Sequence, residues 1–343
     1  MAPSTKPIVA VTLGDASGIG PELVAKLLSR PDVLAAARIL LVGDAWVWAE
    51  GQRVANLAPT VRPVADWAMA RAGADDVPMF VAVETVAEAD VIPGRMTAAA
   101  GRGARAALTL CLEAFGRHEI DAICFAPLNK QALKKGGMAF EDELHFFADY
   151  LGVTDYFCEF NTLGTLWTSR ISSHVPLAEV PSLVTKDRIK AAARLTQQTL
   201  RRAGFAAPRI GLAALNPHGG DGGTCGREEI DIIEPAAREL NAEGVPILGP
   251  YPADTIFLKA RDGLLDAVVT MYHDQGQVAI KLLGFEKGVT VQGGLPVPIT
   301  TPAHGTAFDI VGQNRANVEA TAQAFLIAAR LGAGTRIRSG LAA

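Results

Sequence analysis

Along this chain, short runs of apolar residues alternate with longer segments in which apolar positions recur every three or four residues. The apolar runs fall at 7–13, 38–43, 78–85, 120–126, 208–215 and 265–272. Each is rich in β-branched residues and too uniformly apolar for a half-exposed strand, which predicts strands buried on both faces. Between them, segments 21–30, 98–117, 186–202, 228–243 and 316–331 carry helical periodicity. In the fourth, Ile230, Ile233, Ala237 and Leu240 share one face, which predicts core packing rather than a ligand stripe. Strand and helix in alternation predict an α/β chain with a mainly parallel sheet. Such sheets place ligands at the carboxyl ends of their strands, so the residues that follow each strand carry the most weight.

Composition narrows the function classes. The 343 residues are 49% hydrophobic, enough for about two domains with ample core. No apolar run approaches the ~20 residues of a membrane span, so the mean hydropathy of +0.22 is assigned to buried sheet and no membrane partner is expected. The net charge of −4, from 32 basic and 36 acidic residues, leaves no cationic excess to track a phosphate backbone. Nucleic acid is therefore not an expected partner. The opening Met-Ala-Pro-Ser-Thr-Lys-Pro has neither the basic region nor the apolar core of a secretory signal. Cys111, Cys124, Cys158 and Cys225 show no C-x-x-C spacing. A reducing, cytoplasmic setting is the expectation, with the cysteines as small buried hydrophobes.

Three histidines stand out by position. His174, His218 and His273 lie in Ser-Ser-His-Val-Pro, Asn-Pro-His-Gly-Gly and Tyr-His-Asp-Gln-Gly, and the last two follow the strands expected at 208–215 and 265–272. Their spacing is too long for a local metal motif. Neutral imidazoles at strand ends beside glycine-rich turns nevertheless suit a divalent metal acting as a Lewis acid, with structural histidines bonded to backbone carbonyls the open alternative. Asp274 either supports His273 from behind or caps a helix. The run from Gly14 to Glu22 is neither G-x-G-x-x-G nor a P-loop, and it reads as a tight turn with Pro21 opening a helix. From His304 through Gly305, Thr306, Ala307 and Asp309, a glycine turn opens a short helix whose free N–H groups can meet a phosphate or adenine. There Asp309 is either a ribose contact or a local cap. Lys281, in an apolar stretch, is either a proton-transfer group or a surface cation on an apolar stem.

Taken in order, these pieces resemble one family. Gly-Asp-Ala-Ser-Gly-Ile-Gly-Pro-Glu, Ala-Pro-Leu-Asn-Lys, Asn-Pro-His-Gly-Gly, Gly-Pro-Tyr-Pro-Ala-Asp-Thr, Tyr-His-Asp-Gln-Gly, Ile-Lys-Leu-Leu-Gly-Phe and His-Gly-Thr-Ala-Phe-Asp-Ile occur in the sequence of the 4-hydroxythreonine-4-phosphate dehydrogenases of vitamin B6 synthesis. That family also holds threonate-4-phosphate and terephthalate dihydrodiol dehydrogenases. The resemblance implies a two-domain fold similar to isocitrate and isopropylmalate dehydrogenases, with an active cleft between the domains. The first domain would comprise 1–130 and 305–343, and the second 131–304 would carry the metal site and the dimer interface. It also implies a homodimer that shares its active sites, and a small hydroxy acid oxidised with NAD and a divalent metal. Zinc is the first choice for that metal, ahead of magnesium, manganese, iron or cobalt. By resemblance, His174, His218 and His273 are the metal ligands, Lys281 and Asp274 act in catalysis, and Asp254 and the loop from His304 to Asp309 meet the dinucleotide.

The chain departs from the pattern where relatives hold the substrate. In place of a Gly-His-Thr-Glu run, it puts Glu143 and Leu144 at the positions whose His and Thr grip the substrate phosphate. Thr290 stands for an Asn and Ile299 for an Arg that would clamp an anion, with Arg170 or Lys130 the candidates to compensate. The leading expectation is therefore a dehydrogenase of a non-phosphorylated hydroxy acid or carboxylated diol, with decarboxylation after oxidation. The alternatives are a 4-hydroxythreonine-4-phosphate or threonate-4-phosphate dehydrogenase with an altered phosphate site, and a descendant that binds a small ligand without turning it over.

Overall fold

A computed structural model describes residues 6–72 and 76–338 of the chain. Its strands, in chain order, are β1 (Ile8–Thr12), β2 (Arg38–Gly43), β3 (Arg62–Pro63), β4 (Met79–Ala82), β5 (Ala122–Phe125), β6 (Cys158–Leu163), β7 (Leu166–Arg170), β8 (Ile210–Ala213), β9 (Ile247–Tyr251), β10 (Ala267–Thr270), β11 (Val289–Gly293) and β12 (Ile299–Pro302). The chain forms two compact units, one made of Met1–Gly152 with Leu295–Ala343 and the other of Val153–Gly294. These divisions differ from the expected 130/131 and 304/305. Helix Lys130–Lys135 packs so closely on helix Ala98–Gly116 that a side chain at Gly101 would stand 2.0 Å from the Ala132 carbonyl. At the other end, β12 pairs in register with β5.

In the first unit the strands run β3-β4-β2-β1-β5-β12, every pair parallel. β1, β2 and β5 are buried along their whole length, as uninterrupted apolar runs require. Each fully buried Leu or Ile there contributes roughly 1.5–3 kcal/mol relative to exposure. Pro21 lies in the first turn of helix Gly20–Leu27, where its missing N–H costs nothing. That helix meets helix Ala45–Ala55 at Gly51, where any side chain would come within 2.4 Å of the Pro21 carbonyl. Thr97 caps helix Ala98–Gly116 by accepting the Ala100 N–H at 3.1 Å.

In the second unit the order is β11-β6-β7-β10-β8-β9. Here β6 is antiparallel to both β11 and β7, while β7, β10, β8 and β9 run parallel. Helix Lys186–Arg202 has the expected limits, capped by Thr185. The segment expected as one helix over 228–243 instead opens with a π-helical stretch, Glu229–Ile233, before helix Glu234–Ala242. The wider π turn breaks the 3.6-residue phase, so Ile233, Ala237 and Leu240 are buried but Ile230 is exposed. Cys111, Cys124 and Cys158 are buried, and burial pushes the thiols up, Cys158 to about 11 and Cys124 to about 12; Cys225 alone is exposed. Among the described residues, no helix is long and apolar enough to cross a membrane.

Candidate functional site

The candidate metal ligands all belong to the second unit and follow adjacent parallel strands. His174 comes after β7, His273 after β10 and His218 after β8, and the sheet places β10 between the other two. Right after each strand the backbone segments are tied to one another. The Ser172 hydroxyl donates to the Met271 carbonyl at 2.7 Å, joining the His174 loop to the end of β10. Gln275 accepts the Met271 N–H at 2.8 Å and donates to the Ala214 carbonyl at 2.8 Å, joining the ends of β10 and β8. The three histidine-bearing loops are thus one hydrogen-bonded assembly.

The histidines themselves stay accessible. His174 and His218 are exposed, and both adopt the left-handed backbone region, with φ of 49° and 53°. That conformation is uncommon and costly for a residue with a side chain, and functional sites are where such strain accumulates. His273 is half-buried at the start of helix His273–Gly284. Its Nδ1 lies 2.7 Å from the exposed carboxylate of Asp274. An ionised carboxylate only accepts, so Nδ1 is the donor and Nε2 of the neutral ring keeps its lone pair for a ligand. The His174 and His273 rings stand 5.5 Å apart between centroids, tilted by 41°, but the ring nitrogens of His174, His218 and His273 do not all lie within 4.8 Å of one another. This donor chemistry fits a divalent metal.

Two buried side chains hold these loops: Glu229, which the sequence does not single out, and Arg170, expected above in a different role. Glu229, 1% exposed, accepts the Leu215 and Asn216 N–H groups at 2.8 Å each and the Asn216 side-chain amide at 2.9 Å. It fixes the segment that leads into His218. Arg170, 4% exposed, donates to Glu159 at 2.9 Å, to Asn161 at 2.9 Å and to Ser173, next to His174, at 3.1 Å. Arg170 is therefore committed to partners within the unit. Asn161 also receives Gln277 of helix His273–Gly284 and donates to Thr290 at 3.3 Å. His273, Gln277 and Lys281 recur at four-residue intervals and share one face of that helix. Lys281 is exposed, and so is Asp254 in the first turn of helix Ala253–Arg261.

The first unit holds the other candidates, and it treats them differently. Asp142 caps helix Glu143–Tyr150, its Oδ1 accepting the His145 N–H at 2.9 Å and contacting the His145 ring at 2.7 Å. Glu143 and Leu144 follow in the first turn, and both are buried. Ile299 is fully buried in β12 opposite Ile123. The substrate contact expected there is corrected to a core position, since an apolar side chain in a doubly covered parallel strand belongs to the packing.

In the loop after β12, Thr306 is buried and its carbonyl accepts the Ile19 N–H at 3.1 Å. Ala307 has φ of 43°, and Phe308–Ile310 form a single 3-10 turn. The expected helix N-terminus is thus too short to act through a helix dipole, and of the loop's residues Gly305 and Asp309 are exposed. His304 is half-buried, and desolvation lowers its pKa from the usual histidine value; its Nε2 is buried without a hydrogen-bond partner. The far end of the loop is pinned by Glu22, whose Oε1 accepts the Ala316 N–H at 2.8 Å and Lys26 at 2.7 Å.

Residues 35–328 match the family of the pyridoxal phosphate biosynthetic protein PdxA. A putative 4-hydroxythreonine-4-phosphate dehydrogenase 2 of Pseudomonas aeruginosa is 51% identical over 333 residues, covering 96% of this chain and 98% of that one. The crystal structure of a 4-hydroxythreonine-4-phosphate dehydrogenase from Klebsiella pneumoniae is similar with a TM-score of 0.80 and 33% identity, over 95% and 99% of the two chains. A terephthalate 1,2-cis-dihydrodiol dehydrogenase structure from Burkholderia xenovorans LB400 is similar with a TM-score of 0.64 and 30% identity, over 92% and 98%.

Proposed function

This chain belongs to the PdxA family of dehydrogenases, and we propose that it oxidises the secondary alcohol of a small phosphorylated hydroxy acid of the 4-hydroxythreonine 4-phosphate or threonate 4-phosphate type, using NAD and a divalent metal. The single observation that carries this reading is the hydrogen-bonded assembly of loops that presents His174, His218 and His273 after adjacent parallel strands. When bound, the metal polarises the alcohol as a Lewis acid and the nicotinamide accepts the hydride.

The chain's own residues have separable tasks in this proposal. His174, His218 and His273 hold the metal, and Asp274 fixes the His273 ring so that Nε2 faces the ion. Lys281, two turns along the same helix face, exchanges the proton that follows oxidation and loss of carbon dioxide from the β-keto acid. Thr290 borders the substrate. Asp254, His304, Gly305 and Asp309 serve the dinucleotide, with Asp309 accepting from ribose hydroxyls. Exposed Val278, Leu282 and Leu283 on helix His273–Gly284 support a homodimer, because an apolar strip of this kind favours burial against a second copy. Zinc suits the all-imidazole donor set, and a cytoplasmic location agrees with free cysteines.

A second reading, a non-phosphorylated hydroxy acid or diol, is favoured by one observation. Asp142 already occupies the His145 N–H in the first turn of helix Glu143–Tyr150, and Glu143 adds a carboxylate to that turn, so a phosphate there meets like charge. The relatives weigh toward the phosphorylated substrate. The deciding experiment follows NADH absorbance with zinc or manganese present and compares 4-hydroxythreonine 4-phosphate, threonate 4-phosphate, their dephosphorylated forms and a cis-dihydrodiol carboxylate. Turnover confined to the phosphorylated compounds is expected. Turnover of the non-phosphorylated compounds alone would replace the first reading with the second.

A further inference from the structure

Two adjacent residues after the His218 loop have their burial reversed. Glu229 is 1% exposed, whereas Ile230, by its chemistry the better core residue, is 36% exposed. Both lie in the π-helical stretch Glu229–Ile233. Burying a carboxylate while an isoleucine faces water works against stability. The arrangement therefore needs another reason, and π turns inside helices gather at functional sites.

Glu229 reaches both sides of His218. Ahead of it, Oε1 accepts the Leu215 and Asn216 N–H groups at 2.8 Å each, and Oε2 accepts the Asn216 side-chain amide at 2.9 Å. Beyond it, the backbone passes so close to the carboxylate that a Cβ on Gly220 would stand 2.8 Å from Oε2. Between these points His218 opens a run, through Gly223, in which every φ lies between 44° and 97°. The glycines of that run take the left-handed region freely, but His218 and Asp221 do not. Strain of this kind persists only where the surroundings impose it, and Glu229 is a buried group placed to do so.

We infer that Glu229 is a positioning residue for the metal site, an inference that rests on His218 being a ligand as proposed above. Its carboxylate ties down Leu215 and Asn216 and seats Gly220, so the loop presents His218 with little freedom left to lose. The nitrogens of the three histidines do not all lie within 4.8 Å of one another, so a ring or a loop moves when one ion is held. Each degree of freedom removed beforehand lowers the cost of that closure.

The test titrates zinc alone into the intact chain by calorimetry and follows hydrogen exchange of the Leu215 and Asn216 amides in the metal-free protein. Glu229→Leu is expected to speed that exchange and to weaken zinc binding by about 10- to 100-fold, the range for loss of an outer support. Glu229→Gln, which keeps an oxygen for the two N–H groups, should recover most of both. Added to His218→Ala, Glu229→Leu should cause no further loss of zinc affinity, because its effect passes through that ring. Should Glu229→Leu not fold, Gly220→Ala crowds the carboxylate from the loop side and carries the same measurements. Unchanged zinc affinity in folded Glu229→Leu, with only its melting temperature lowered, overturns the inference, as does a full further loss on top of His218→Ala. Unchanged zinc affinity in His218→Ala instead overturns the ligand assignment beneath it, while the exchange of the two amides still tells whether Glu229 holds the loop.

Discussion

The two units place polar side chains at the carboxyl ends of parallel strands and use them in opposite ways. In the second, the chemistry-bearing groups His174 and His218 are exposed, and the groups that hold their loops, Ser172, Glu229 and Arg170, are buried. In the first, Thr12, Asp15, Ser17 and Glu22 are themselves buried, and each keeps a polar atom without a partner. One end presents ligands on a braced frame. The other stores polar atoms in the core, where desolvation decides their behaviour. Burial accordingly raises the pKa of Asp15 above the usual carboxylate value, against the lowering effect of the hydrogen bond from the Ser17 N–H.

That contrast can be broken from either side. The largest effect is expected for His218→Ala, which should cost more than the ~100-fold that loss of an outer support typically costs, in metal affinity and metal-dependent turnover alike. Thermal unfolding should show a folded protein; wild-type activity would refute the ligand assignment. Arg170→Leu comes next. It leaves Glu159 without its buried partner and should cost about 3–5 kcal/mol in denaturant unfolding. Much of that should return when Glu159→Leu is added, because the cost lies in the orphaned charge. Gln275→Ala should lower metal affinity by about 10- to 100-fold with little loss of stability, since it cuts the tie between the ends of β8 and β10. Metal titration by calorimetry distinguishes this from a folding defect.

The smallest effect belongs to the first unit and is read from pH. Burial depresses the folded-state pKa of His304 below its ordinary value, so at mildly acidic pH the unfolded chain binds more protons than the folded one. His304 therefore takes nothing from stability above its unfolded pKa of ~6.5 and reduces it as pH falls from there toward the folded pKa. His304→Gln should flatten the decline of the melting temperature across that window. An unchanged slope would show that His304 is not buried as described.

Much of the second unit's site was legible because it depends on position after a strand. The runs that became β8 and β10 are uninterrupted and apolar, so the histidines behind them announced themselves. β6 and β7 were not legible. Their sequences, Cys-Glu-Phe-Asn-Thr-Leu and Leu-Trp-Thr-Ser-Arg, mix in polar residues whose partners lie far along the chain, as Asn161 to Thr290 and Gln277 shows. Glu229 was hidden for the same reason, since it acts on backbone N–H groups more than ten residues earlier. In the first unit, burial misled in the other direction. Ile299 aligned with a substrate-gripping arginine, yet it is core, because a side chain's facing follows from the strand pairing and not from the motif around it.

The pairing of β12 with β5 also sets an order of events during synthesis. The second unit is one continuous stretch of chain and can close as soon as it has emerged, whereas the first needs a strand that is made after it. Until Ile299 leaves the ribosome, β5 presents an apolar edge with no neighbour on that side, the kind of edge that recruits other chains. Nascent chains that stall or end before β12 should therefore be aggregation-prone and depend on chaperones, although nearly all of the sheet has already been translated.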